Sequence, residues 1–239
     1  MTAAAANVAR SSSPPLSVCA LIPAYNEAES IADVVAGVRP HVARVLVVDD
    51  GSDDGTAEAS ERAGAECLRL CSNQGKGRAI RAGLARVLDA GYTHVLFMDG
   101  DGQHRPEDVP ALIACAITTG ADLVIGARPF DRARMPASRH FSNTVGSRIA
   151  SWLVGSRIED SQSGFRLARV SRLRRLRLSA RRYEIEMELL IKLCLDGGTI
   201  AHAPVAMVYA GGLARSKMNP VRDTVRICLW SLAYRFLGR

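Results

Sequence analysis

Aromatic residues are scarce in this 239-residue chain, at 5% of the sequence, and that scarcity argues against the stacking platforms that hold single-stranded nucleic acid. Helix-turn-helix, finger and RNA-binding signatures are also missing, so nucleic acid is a poor partner despite a net charge of +7. The six cysteines (Cys19, Cys67, Cys71, Cys115, Cys194, Cys228) form no Cys-x-x-Cys pair. They read as reduced thiols of a cytosolic protein, most of them core filler, and no zinc spacing exists. No apolar run approaches the roughly 20 residues that span a bilayer. Residues 1–15, rich in Ala, Ser and Pro with Arg10 as their single charge, lack the basic region and Leu-rich stretch of a secretion signal. They read as a disordered tail.

What is present is a βα rhythm. Apolar runs at 18–22, 42–48, 67–70, 95–98 and 123–125 predict strands, and the amphipathic segments 27–38, 56–63, 76–90 and 106–119 predict helices between them. This alternation implies an α/β fold in one domain, a mostly parallel sheet flanked by helices. After Gly126 the rhythm breaks into a helix at 138–153, an irregular segment at 158–166, a helix at 184–195 and a strand at 200–209. The catalytic or binding domain is expected over 16–217, with a separate C-terminal helix over 218–239.

Chemistry gathers at the predicted strand ends, where ligands bind in open α/β sheets. The run 95–98 shows no alternation, as expected for a fully buried strand, and leads into Asp99-Gly100-Asp101-Gly102-Gln103. Two carboxylates and an amide oxygen, spaced by glycines that admit a bulky group, suit Mg²⁺ or Mn²⁺ held against a diphosphate. A plain Asp-Gly turn would use the same residue types. A second strand end carries Pro23, which is expected to stop the strand, then Tyr25, Asn26 and Glu27. A third carries Asp49-Asp50-Gly51-Ser52-Asp53-Asp54-Gly55-Thr56. Here Asp53 and Asp54 fit turn and helix-cap chemistry, while Asp50 is free to accept from a base N–H or ribose hydroxyls. Arginines cluster over 128–182, which suits an anionic membrane or a phosphorylated substrate. Gly75-Lys76-Gly77 is no P-loop, because the Ser/Thr after Lys and the upstream Gly are missing. Asn73 to Gly77 more simply shapes a loop beside the ligand. His104 reads as a neighbour of the acidic triplet, not a ligand.

Four segments, PAYNE, VVDDGSDDGT, NQGKGRA and FMDGDGQH, together resemble family 2 glycosyltransferases in order and spacing. GARPF, DSQSGFR, YEIEMELL and SKMNPVRDT are similar to the dolichyl- and polyprenyl-phosphate sugar transferases within that family. The resemblance implies a glycosyltransferase A-type, Rossmann-like fold, a nucleotide-diphospho-sugar donor, a divalent metal and inversion at the anomeric carbon. It implies Pro23, Tyr25 and Glu27 along the nucleotide pocket, Asp50 on the base and Asp99 near ribose and metal. Asp101 and Gln103 would complete the metal site. Arg128, Arg139 and Asn143 would face the acceptor phosphate, with Arg166 and Lys217 as further candidates. Asp160 stands as either a catalytic carboxylate or a loop residue. The alternatives are transfer to a hydroxyl acceptor and an inactive nucleotide-sugar binder or scaffold.

Beyond Pro220 the pattern is amphipathic twice over. Val221, Val225, Cys228, Leu232 and Phe236 share one helical face, and Ile227, Trp230 and Tyr234 the opposite one. With Arg222, Arg226, Arg235 and Arg239 between them, the second face fits a membrane interface. Peripheral association with the inner face of the cell membrane is the expectation.

Overall fold

The computed structural model describes residues 16–128 and 137–206, of which 137–142 by backbone alone, together with Asp223, Arg226, Ile227, Leu229 and Trp230. In chain order the strands and α-helices are β1 (Val18–Ala24), α1 (Ile31–Val38), β2 (Arg44–Asp49), α2 (Thr56–Arg62), β3 (Glu66–Arg69), α3 (Lys76–Val87), β4 (His94–Phe97), α4 (Val109–Thr119), β5 (Leu123–Ala127), α5 (Ala137–Val154), β6 (Arg166–Arg169), α6 (Val170–Leu173), α7 (Glu184–Leu195) and β7 (Ile200–Pro204). They form a single α/β domain around a seven-stranded sheet of order β3-β2-β1-β4-β6-β5-β7. Every pairing is parallel except those of β6, which runs against both β4 and β5.

Local sequence explains most elements. All seven residues of β1 are buried, as a strand covered on both faces requires. In α1, Ile31, Val34, Val35 and Val38 are buried at helical spacing. Helix α4 has a proline in its first turn and ends on Gly120 at φ 66°, the left-handed backbone that favours glycine. Two apolar layers result. One, on the face covered by α3 and α7, joins Leu21, Val48, Leu84, Phe97 and Leu190. The other, under α1 and α4, joins Ala20, Val35, Leu96, Met98 and Leu112.

Four expectations change. Pro23 does not stop β1, which continues to Ala24 with Pro23 opposite Val48; near a strand end one missing ladder donor is tolerated. The first helix begins at Ile31, not 27, because residues 27–30 form a turn in which Glu27 O accepts from Ser30 and Ile31 N–H. The segment expected to be irregular up to 166 ends in β6, a four-residue strand too short to show a period. Ile227, assigned to the membrane-facing side of the C-terminal helix, is 5% exposed and packs into the core layer beside α7. Leu229 is exposed, and apart from it, Asp223, Arg226, Ile227 and Trp230, the stretch 218–239, like 1–15 and Lys217, lies outside the described residues. Among the described residues no helix is long and apolar enough to cross a membrane.

A buried carboxylate ties α7 to the segment before it. Glu188 is fully buried and accepts the N–H groups of Ser179 at 2.8 Å and Ala180 at 2.7 Å, with Lys192 Nζ also at 2.7 Å. Burial alone would raise its pKa, but Lys192 and the amides of Ala180 and Ser179 hold it below the usual Glu value. Replacing Glu188 by Ala leaves those amides unpaired and should cost about 2–4 kcal/mol in denaturant unfolding. The depressed folded pKa means that this contribution is present above the unfolded value of about 4.3 and is lost as pH falls through the folded one. Glu188→Gln should flatten that part of the acid limb in stability measured from pH 6 to 3.

Candidate active site

Strands β1, β2, β4 and β5 end at one edge of the sheet, and β6, running the opposite way, begins there. Five loops therefore meet, carrying nearly every residue singled out above.

The loops after β1 and β2 are fastened to each other through backbone donors. Asn26 N–H donates to Ser52 Oγ and Glu27 N–H to Thr56 Oγ1, both at 2.9 Å. Asp54 accepts from Ala28 and Thr56 N–H at 3.0 Å each, the turn role expected of it. Asn26 itself sits at φ 52°, a left-handed conformation that Asn tolerates better than most residues. Asp50, expected on a nucleotide base, has an oxygen on each of two amides, Gln74 N–H at 2.9 Å and Gly75 N–H at 2.7 Å. It thereby sets the course of the loop before α3. Gly51 is obligatory here: at φ 75°, a Cβ would lie 2.6 Å from the Ser72 backbone. Pro23 is buried, and Tyr25 and Glu27 are partly exposed along this fastening.

The loop after β4 brings its two acids into different surroundings. Asp99 Oδ1 lies 2.6 Å from Lys76 Nζ, which reaches Glu186 Oε1 at 2.5 Å on its other side. Burial would raise the Asp99 pKa, yet Lys76 holds it down. Burial would likewise neutralise Lys76, but Asp99 and Glu186 keep it protonated. Asp101 accepts Gln103 N–H at 3.0 Å and has no such cation: burial first, then the nearby Asp99 charge, push its pKa up to about 6. Two neighbouring carboxylates with unbalanced charge between them fit a divalent cation. The donor set, Asp99 and Asp101 with the Gln103 amide, is all oxygen, as a hard cation requires. Among the described residues no cluster of three or more His, Cys, Asp or Glu side chains fits a metal ion. His104 is 4% exposed, stacks on Phe165 at 5.1 Å and stands 3.9 Å from Asp99 Oδ2. Burial lowers its pKa to about 4, so it stays neutral.

The end of β5 and the entry to β6 supply the cationic side. Arg128 follows β5 directly and forks onto Asp160, Nε to Oδ2 at 2.5 Å and Nη2 to Oδ1 at 2.9 Å. Asn143 is buried on α5, one turn before Ser147, whose Oγ accepts Ser161 N–H at 3.1 Å. Arg139 falls in the first turn of α5, where the backbone alone is described. Arg166 corrects an expectation. Proposed to meet phosphate, it is instead 2% exposed and donates to the carbonyls of Ser163, Ser161 and Glu186 at 2.7, 2.7 and 2.5 Å. It pins the 160–165 loop to α7.

Three contributors carry little or no signal in the sequence. Lys76 sits in a segment that reads as loop-shaping, and its one signal is a cation at the first position of a helix, the wrong sign for the helix dipole. Glu186, on the facing helix, had no signal of its own. Gly164 lets the β6 entry loop touch the acidic loop, since a Cβ there would lie 2.7 Å from Asp99 Oδ2 and 3.1 Å from Lys76 Nζ.

Comparison with known proteins gives the family and the fold. The family model for glycosyl transferase family 2 matches residues 19–177. The undecaprenyl-phosphate mannosyltransferase of Micrococcus luteus is 33% identical over 92% of this chain and 96% of its own. The polyprenol monophosphomannose synthase of Mycolicibacterium smegmatis is 32% identical over 90% of this chain and 87% of its own. Among solved structures, glucosyl-3-phosphoglycerate synthase from Mycobacterium tuberculosis, determined with Mn²⁺, uridine diphosphate and its product, superposes with a TM-score of 0.70. It is 22% identical over 92% of this chain and 80% of its own, a likeness of fold. The strand-end motifs, the sheet order and the full-length relatives agree: this chain belongs to glycosyl transferase family 2.

Proposed function

We propose that this enzyme transfers a hexosyl group from a nucleotide-diphospho-sugar to the phosphate of a polyprenyl phosphate, inverting the anomeric centre and using Mg²⁺ or Mn²⁺. The observation that carries the reading is similarity along nine-tenths of both chains to relatives named for polyprenyl phosphate acceptors. Residues 16–217 would form the catalytic domain and 218–239 a helix against it. The acceptor is a membrane lipid, so the enzyme would work as a peripheral protein at the inner membrane surface.

In this reading Pro23, Tyr25 and Glu27 line the nucleotide pocket, and Asp50 orders the Gln74–Gly75 turn beside it. Asp99, Asp101 and Gln103 hold the divalent cation, whose chemistry is to neutralise charge on the departing diphosphate. Lys76 keeps Asp99 ionised for that purpose. Arg128, with Asn143, Arg139 and Lys217, receives the acceptor phosphate, a task suited to guanidinium forks. The acceptor oxygen is already anionic and attacks the anomeric carbon from the face opposite the leaving group. The sugar passes through the oxocarbenium-like state general to glycosyl transfer.

Nucleoside diphosphate release from a panel of sugar nucleotides with Mn²⁺ or Mg²⁺, measured with and without polyprenyl phosphate, tests the reading. Release stimulated by the lipid, with labelled sugar recovered in it, is expected for one donor. Stimulation by a hydroxyl acceptor in place of the phosphate would move the enzyme to the other acceptor class. No donor binding at all would revive the inactive scaffold.

The Asp101→Ala variant should lose lipid-dependent transfer by about 10² or more, the scale of removing one preorganised electrostatic contact in a closed site. Its melting temperature is read alongside, because the variant also gives up the Gln103 N–H bond. Full transfer by a folded Asp101→Ala protein would remove the metal assignment.

A further inference from the structure

We propose that Glu186 is a positioning residue for the divalent-cation site: its carboxylate takes up the charge of Lys76, so that the lysine holds Asp99 without cancelling the charge a cation needs. The inference rests on the metal reading above and extends it to a helix that carries none of the ligands.

The glycines beside Lys76 make the contact possible. Lys76 is the first residue of α3, and Glu186 lies in the first turn of α7. The start of α3 packs on the segment that leads into α7 because nothing projects between them. A Cβ on Gly75 would lie 2.6 Å from the Arg181 carbonyl oxygen, and one on Gly77 2.6 Å from that of Ala180. With no side chain at either position, the Lys76 ammonium reaches Glu186 Oε1 at 2.5 Å and Asp99 Oδ1 at 2.6 Å. The entry loop of β6 closes another side, since a Cβ on Gly164 would lie 3.1 Å from Lys76 Nζ.

Electrostatics gives Glu186 its task. A cation at the start of a helix opposes the helix dipole, whereas a carboxylate there is favoured. Lys76 is thus unfavourable on its own helix and is stabilised from α7, whose dipole suits the charge of Glu186. Paired with Asp99 alone, the lysine would make a neutral couple, and its ammonium would repel a divalent cation brought to the same carboxylate. With Glu186 added, the three side chains keep one net negative charge.

Glu186 acts through Lys76 and not as a ligand. Side-chain exposure is 13% at Glu186, 16% at Lys76 and 27% at Asp99, which puts Asp99 at the open end of the row. Among the described residues no three His, Cys, Asp or Glu side chains gather closely enough to hold a metal ion, so Glu186 does not join Asp99 and Asp101 as a third donor.

The backbone of Glu186 has a separate role. Its carbonyl oxygen accepts from Arg166 Nη1 at 2.5 Å, and Glu188 fastens the same helix to the N–H groups of Ser179 and Ala180. The start of α7 is therefore held by groups other than the Glu186 carboxylate. Glu186→Gln removes the charge and leaves those bonds, together with an amide oxygen for Lys76.

Mn²⁺ binding to the full chain tests this, read from the electron paramagnetic resonance of the free ion at about pH 8, where carboxylates in water are ionised. Mn²⁺ is titrated alone and with uridine or guanosine diphosphate. Glu186→Gln should weaken binding about tenfold, the order expected when one charge is removed near a divalent ion. Adding Lys76→Met to it should return the affinity to within about threefold of wild type, because the opposite charges then leave together. A merely structural brace gives no such recovery. A folded Glu186→Gln protein that binds Mn²⁺ as wild type does, or a double variant weaker than Glu186→Gln, overturns the inference. Melting temperature is read on every variant. Should Glu186→Gln misfold, the double variant is compared with wild type directly, and a loss of about tenfold there overturns the inference in the same way. A wild-type protein that binds no Mn²⁺ under any of these conditions removes the metal reading and this inference with it. Binding that is lost in Asp101→Ala but unchanged in Glu186→Gln removes the inference alone.

Discussion

Carboxylates crowd the edge where the parallel strands end, and the shape of that edge follows from the need to balance them. Asp49, Asp50 and Asp160 are buried there, with Asp99, Asp101 and Glu186 close by. A buried carboxylate without partners is costly enough to take up a proton or unfold its surroundings. Three solutions are used. Asp49 and Asp50 accept backbone N–H groups and so convert their charge into loop geometry. Asp99 and Glu186 share one lysine, and Asp160 takes an arginine fork. Asp101 is the exception, relieved by one amide alone, and its proton affinity is raised accordingly. On the proposed reading, Asp101 is the carboxylate that a divalent cation would relieve.

The single antiparallel strand decides which residues attend that charge. Had β6 been parallel to its neighbours, residues 160–165 would have entered from the opposite edge. Because it runs backward, its entry loop meets the ends of β4 and β5, and Arg166 pairs in register with Phe97 on one side and Ile125 on the other. Gly164 then closes on Asp99, and Asp160 reaches Arg128. The acidic loop after β4, the cationic end of β5 and the Asp160 loop meet because of this one reversed strand. Arg166 makes that insertion rigid: three carbonyls on one buried guanidinium join loop, strand and α7 in a single contact set.

Much of the fold and site was legible because its information is local. Uninterrupted apolar runs marked the buried strands, and Gly, Asp, Ser and Thr after them marked turns, some of whose hydrogen bonds, such as Ser52 N–H to Asp49, Thr56 N–H to Asp54 and Gln103 N–H to Asp101, close within three residues. Asp54 and Thr56 close a turn on each other as their neighbourhood dictates, and their long-range bonds to the loop after β1 were not readable. The helix at Glu184–Leu195 has the limits its pattern implied. What tertiary structure alone decided is where the long charged side chains spend their charge. Arg128 and Arg166 look alike in sequence, each beside a strand terminus. One forks onto the buried Asp160 and the other is sealed onto carbonyls. Lys76 finds acids 23 and 110 residues away, and Ile227 turns inward to a core layer shared by Leu21 of β1 and Leu190 of α7. Turn chemistry is written into adjacent residues, whereas the partner of a buried charge is whichever loop the strand order brings within reach.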